Sequence, residues 1–187
     1  DEDNDATVNE EYVGGALWIW KEPEHGREYI LSADVAEGIG EDGDFSAFVV
    51  MDVKDCEQVA EFYSNMVPPH IFAHIISQIG IYYNTANVIV ENMGPGISVL
   101  TRLQHNLFYE NLYYDAQERP GIKVVQTNRP SILESLQYTL NANVLKLHSR
   151  RMARELKTFV FNKNKKRAEA QKNKHDDLIM AIALGLF

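Results

Sequence analysis

The spacing of apolar residues changes along the chain, and each change marks an element. The stretch REYILSADVA is dominated by apolar residues suited to a buried strand. FSAFVVMDV reads as a second strand, and EQVAEFYSN, with alternating character, as a third. The connection EGIGEDGD between the first two is short and holds three glycines, consistent with a hairpin-like turn. The period then lengthens. VPPHIFAHIISQIGIYYN opens on prolines and carries helix-spaced apolar residues at Ile71, Ile75, Ile79 and Tyr82 or Tyr83. NVIVEN predicts a short buried strand, GPGISVLTRLQHNL a helix behind a Gly-Pro-Gly turn, and NLYYD another short strand. RPSILESLQYTLNAN is amphipathic, with Ser131 as N-cap and Glu134 three residues later in a capping-box pattern. SRRMARELKTFVF predicts a short basic helix running into a strand. NKNKKRAEAQKNK is polar without an apolar period, and HDDLIMAIALGLF predicts the last helix.

Three tightly joined strands are antiparallel, and strands reached through helices can lie parallel. The order therefore predicts an α/β fold: a mixed sheet, three antiparallel strands then parallel ones, with helices on both faces. DEDNDATVNEEY is acidic and expected to be poorly ordered. Residues 1–12 are read as a flexible arm or linker, and 13–187 as a single domain. The chain lacks an initiator methionine, so a further domain is expected ahead of the arm.

Composition narrows the class. A chain of 187 residues that is 45% hydrophobic supports one sizeable core. No apolar run approaches the roughly 20 residues of a membrane span, and no signal peptide opens the chain. Cys56 is the only cysteine, which excludes an intrachain disulfide and a Cys-based zinc cluster and suggests a reducing cytosol. The net charge of −9 argues against a polyanion partner, but it hides an asymmetry. Acids crowd the first dozen residues. Basic residues crowd the end: Arg150, Arg151, Arg154, Lys163, Lys165, Lys166, Arg167, Lys172 and Lys174, with Lys146 and Lys157. Such a block suits a phosphate backbone. A solvated helix and loop would look the same.

Four carboxylates stand where apolar runs give way. Asp34 sits inside the strand ILSADVA, where a lone charge is expensive unless paired or bound to a metal. Glu91 ends VIVEN. Asp176 and Asp177 open the last helix. Each has a plainer reading: a turn bonded to its own backbone, a strand-end acid in water, a helix cap. Together they are harder to dismiss, because ligands of α/β sheets bind beyond the strand ends. Oxygen ligands without cysteine favour Mg²⁺ or Mn²⁺ over zinc. Two such ions about 4 Å apart support in-line displacement at phosphorus.

Asp34, the turn D-x-A-x-G-x-G-x-x-G-D-x-S from Asp34 to Ser46, two further strands, Glu91 at the end of the fourth, ELKTFVF, a hairpin-like basic stretch and KHDDLIMAIALGL together resemble one family. It is the nuclease domain of the large terminase subunit of tailed bacteriophages, nearest the T-even-like group, with the likeness running from about Gly26 to Phe187. The resemblance implies a ribonuclease H-like fold, two Mg²⁺ or Mn²⁺ ions, and cleavage of double-stranded concatemeric viral DNA during packaging in the host cell cytoplasm. By motif position it implies Asp34, Glu91 and Asp177 as catalytic metal ligands with Asp176 beside them, and Asp42, Asp44 and His175 as accessory residues. It also implies an ATPase motor in the parent protein, a portal and a small terminase subunit. No G-x-x-x-x-G-K-[ST] stretch is present in this chain. A Holliday-junction resolvase, a transposase-like enzyme and a non-catalytic DNA-binding scaffold are the alternatives.

Overall fold

The computed structural model describes residues 7–8, 15–37, 40, 44–162, 167–172 and 174–187. Its main sheet holds β1 (Thr7–Val8), β2 (Leu17–Ile19), β3 (Tyr29–Asp34), β4 (Ser46–Asp52), β5 (Glu57–Ser64) and β6 (Asn87–Val90), in the order β1-β2-β5-β4-β3-β6. β3, β4 and β5 are antiparallel neighbours, and β6 joins β3 in parallel. The mixed sheet expected from the strand and helix order is therefore present. Thr7 and Val8 fall within the stretch read as an arm, and they pair with Ile19 and Trp18.

β4 is buried at all seven positions because both faces are covered. Phe48 and Val50 face α1 (Pro69–Tyr82) and α2 (Gly96–His105), in a cluster with Phe62, Phe72 and Leu103. Ala47, Val49 and Met51 face the opposite way, toward α3 (Arg129–Asn141), α4 (Arg150–Thr158) and α5 (Asp177–Leu186). Each fully buried large side chain in these layers contributes roughly 1.5–3 kcal/mol. α5 is buried from Leu178 through Leu184, so its sequence is apolar all round rather than striped. It lies on β3 and β4 and is covered by α3 and α4. A side chain at Gly185 would meet Ser32 Oγ at 2.6 Å, so glycine permits the close approach. A second, two-stranded sheet pairs β7 (Phe159–Asn162) with β8 (Arg167–Ala170), and β7 continues directly from α4. Among the described residues, no helix is long and apolar enough to cross a membrane.

Three local expectations are corrected. α1 buries Phe72, Ala73, Ile76, Ser77 and Gly80; of the expected positions Ile75 and Ile79 pack against the core and Tyr83 is fully buried, whereas Ile71 and Tyr82 are exposed. Its contact face combines the large Phe72 and Ile76 with small residues that a count of apolar residues overlooks: the Tyr109 hydroxyl occupies the space beside Gly80 and donates to Ala86 O at 2.7 Å. α3 begins at Arg129, not after Ser131, and the Ser131–Glu134 box does not form a cap. Pro130 fits the first turn, where no N–H is needed, and so starts the helix earlier. NLYYD is not a regular strand. Leu112 and Tyr114 make single bridges, to Val88 and Pro120.

Candidate metal centre

Sheet register places the first two acids together. Ala33 pairs with Val90, so the next residue on each strand, Asp34 and Glu91, ends at the same edge. The Glu91 N–H donates to Ala33 O at 3.0 Å, and the two carboxyls are hydrogen-bonded to each other. α2 starts against this corner. A Cβ at Gly96 would stand 1.9 Å from Glu91 O, which explains the glycine after the proline in the Gly-Pro-Gly turn.

The start of α5 faces the same edge, and it does not look like an ordinary capped helix. Asp176 occupies the N-cap position, but its side chain makes no capping bond. Arg129 Nη2 donates to Asp176 Oδ2 at 3.1 Å instead. The same guanidinium donates to Ala168 O at 3.3 Å and touches Met180 Sδ at 2.9 Å, tying α3 to the β7–β8 hairpin and to α5. Asp177 Oδ2 is buried without a hydrogen-bond partner, and His175 Nδ1 stands 3.6 Å from it. Glu155, on α4, accepts from the Ile179 N–H at 3.1 Å.

The electrostatics follow from this crowding. Burial pushes Asp34 well above the usual carboxylate range, and Glu91, Asp177 and Asp176 add to the rise. Burial also raises Glu91, while the Asp34 hydrogen bond and Arg129 oppose it, so the pair as a whole holds on to a proton above the usual carboxylate range. Asp177 is pushed up to about 8 by burial, then by Glu155 and Asp176. Glu155 rises to about 7, chiefly by burial. Among the described residues, no three His, Cys, Asp or Glu side chains close on one point, so the acids share a field without forming a finished cage. An all-oxygen donor set with a buried, unpartnered carboxylate oxygen fits a hard divalent cation.

The remaining sequence candidates divide. Asp44 is exposed at the loop before β4 and acts on the charge of Asp177, while Asp42 lies outside the described residues. The His175 ring stands edge-on to Phe45, which stacks on Tyr63 at 4.1 Å. Arg150, Arg154, Arg167, Lys172 and Lys174 are exposed, and Arg167 pairs with Glu169 at 2.7 Å. Lys163, Lys165 and Lys166 lie outside the described residues. Arg151 turns inward: it donates to Gly15 O at 2.9 Å and lies 3.8 Å over the Trp18 ring. A cleft of about 670 Å³ runs along the hairpin and reaches Asp176, lined by Arg129, Asn162, Arg167, Lys172 and Lys174 among others. Sequence reasoning missed Arg129 and Glu155. Glu155 had a signal, because it follows Met152 by three positions and so places an acid on the buried side of a basic helix. Arg129 had none.

Two neighbouring parallel strands that end in carboxylates, with a terminal helix bringing two more, define a ribonuclease H-like domain. The chain belongs to a particular family of that class: the Terminase RNaseH-like domain family model matches residues 31–187. Solved structures agree. The large terminase nuclease from thermophilic phage G20c with bound magnesium superimposes with a TM-score of 0.77 at 16% identity, covering 90% of this chain and 85% of that one. The large terminase nuclease domain of Thermus phage P74-26 gives 0.73 at 16% identity, with 90% and 83% covered. The nuclease domain of the large terminase of bacteriophage SPP1 with bound Mn gives 0.53 at 18% identity, with 84% of each chain covered. At these identities the likeness establishes the fold.

Proposed function

We propose that this domain is a divalent-metal-dependent endonuclease that cuts double-stranded, concatemeric viral DNA during genome packaging. The observation that carries the proposal is the gathering of Asp34, Glu91, Asp176 and Asp177 at one edge of a terminase fold, with Arg129 as the cation among them. Asp34, Glu91 and Asp177 would hold the ions, with Asp176 beside them. When bound, two Mg²⁺ or Mn²⁺ ions supply the charge that in-line hydrolysis of a phosphodiester requires. That solved relatives carry magnesium and Mn supports this reading.

The chain's own residues do the rest. Arg129 fixes one oxygen of Asp176 and leaves the other available. The exposed Arg154, Lys172 and Lys174 hold backbone phosphates on the approach to the acids. Such contacts position the duplex but carry no sequence information, so cleavage has little sequence preference. In the parent protein the partners are an ATPase motor, a portal and a small terminase subunit, acting in the host cytoplasm. Family membership favours this reading over a resolvase or transposase-like enzyme. The test is supercoiled plasmid incubated with Mg²⁺, Mn²⁺ or EDTA, beside the Asp177→Ala variant. Metal-dependent nicking and linearisation that vanish in the variant are expected. Absence of cleavage with either ion, together with no calorimetric Mn²⁺ binding, would overturn the proposal.

A further inference from the structure

The N–H groups in the first turn of a helix have no partner within the helix, and an Asp at the N-cap ordinarily satisfies them. In α5 this does not happen. Asp176 gives its oxygen to Arg129, and Asp177 leaves Oδ2 without a partner. The capping carboxylate comes from another helix. Glu155, only 7% exposed, reaches across from α4 and accepts from the Ile179 N–H at 3.1 Å. The Leu178 N–H also bonds to it. α4 is itself held firmly: Ser149 caps it by accepting from the Met152 N–H at 3.0 Å, and Met152 is fully buried.

A helix start has one set of donors, and whichever carboxylate serves them is drawn away from other work. Two acids stand within reach of these donors by sequence, yet neither serves Leu178 or Ile179: Asp176 bonds Arg129, and Asp177 meets only its own N–H and keeps Oδ2 free of hydrogen bonds. We propose that Glu155 is a positioning residue, which caps α5 from the neighbouring helix and thereby keeps Asp176 and Asp177 available to a divalent ion. The inference rests on the reading of those two aspartates as metal ligands. It also explains why an acid sits on the buried side of a helix whose exposed side is basic. Hydrophobic packing alone would favour Leu or Met at that position.

Two variants separate the cap from the charge. Glu155→Gln retains an oxygen that can accept from Ile179, whereas Glu155→Met keeps the volume and removes the acceptor. Mn²⁺ binding by calorimetry is expected to stay within about threefold of the parent in Glu155→Gln and to weaken at least about tenfold in Glu155→Met. Circular dichroism checks that both are folded, and Glu155→Ala replaces the Met variant should that one not fold. In the metal-free crystal structure of the variant without an acceptor, Asp176 or Asp177 is expected to turn onto the N–H groups of Leu178 and Ile179. The proposal is overturned if both aspartates keep their places and Mn²⁺ affinity is unchanged. It is equally overturned if Glu155→Gln loses as much affinity as Glu155→Met, because Glu155 would then be a ligand. If the parent protein takes up no Mn²⁺, the metal reading fails, and the crystal structures alone decide whether Glu155 holds the aspartates off the helix start.

Discussion

Two groups of buried acids sit toward opposite ends of the strand β4, and they are treated in opposite ways. At one end Glu57, paired in register with Asp52, is only 4% exposed. Lys21 donates to it at 2.7 Å, His148 Nε2 stands at 2.8 Å and Lys146 Nζ at 3.9 Å. Burial pushes the Glu57 carboxyl up, but the Lys21 and His148 hydrogen bonds outweigh it and hold it below its ordinary value. At the other end Asp34, paired with Ala47, meets Glu91, Asp176 and Asp177, and Arg129 is the cation placed among them. There Asp34, Glu91 and Asp177 rise. A compensated acid serves the fold. A cluster with one guanidinium among four acids stores repulsion that further protons or a cation relieve, and such clusters mark functional sites.

The sharpest way to break this contrast is to delete one acid from each group. Asp34→Ala, Glu91→Ala and Asp177→Ala are each expected to lower plasmid cleavage by at least about a thousandfold while the circular dichroism spectrum is unchanged. Glu57→Ala is expected to leave the chemistry of cleavage intact and instead to lower stability by about 2 kcal/mol, since it strands Lys21 and His148 beside a buried strand. Urea denaturation of the metal-free protein measures the second effect. Equal loss of stability in both groups would mean that the two clusters do not differ in kind.

The pH dependence of stability should also have opposite signs. Asp177 has an ordinary value of 3.8 and a folded value of about 8, so between these limits the folded chain holds a proton that the unfolded chain has released. Stability without metal is therefore greatest below about pH 4 as far as Asp177 is concerned, and falls as pH rises toward 8. Glu57 acts the other way. Its contribution is present above its ordinary value of 4.5 and is lost as pH falls through its lower folded value. Thermal melts in EDTA should show a fall in melting temperature from pH 5 to 8. Asp177→Asn should flatten that fall, and Mg²⁺ should raise the melting temperature more at pH 8 than at pH 6, because carboxylates must be deprotonated to bind.

Much of this was legible in the chain, for a definite reason. The order of strands and helices follows from period and turn residues, which are local. Asp34 and Glu91 stood out because each interrupts an apolar run where a strand gives way to a loop. The pair Asp176–Asp177 stood out too, but its two readings, cap or ligand, use the same residue at the same place. The positions of Glu155 and Arg129 bear on the choice, and both reach the helix start from other elements. The contact face of α1 was misjudged in part, because close packing against Tyr109 brings Gly80 and Ala73 inward and leaves Ile71 and Tyr82 exposed. In the last two cases the deciding partner was distant in sequence, whereas the early start of α3 was set locally by Pro130.

The same division between fold and function runs through the basic residues, on a smaller scale. Arg151 and Arg154 lie one turn apart on α4 and look alike in the sequence. Arg151 is anchored by Gly15 O and the face of Trp18, with Glu61 Oε1 at 3.9 Å, whereas Arg154 is exposed. Arg151→Ala is therefore expected to lower stability by about 1 kcal/mol through lost packing and hydrogen bonds, with little change in the salt dependence of DNA binding. Arg154→Ala should leave the melting temperature unchanged and weaken duplex binding only a few-fold, but it should reduce the slope of log affinity against log salt by about one unit. Fluorescence anisotropy of a labelled duplex over a salt series, set beside thermal melts of both variants, separates the two roles. If Arg151→Ala lowers the salt slope and Arg154→Ala does not, the assignment of which arginine faces the DNA is reversed. The helix would then present its basic residues in a different rotation from the one that buries Met152 and Glu155.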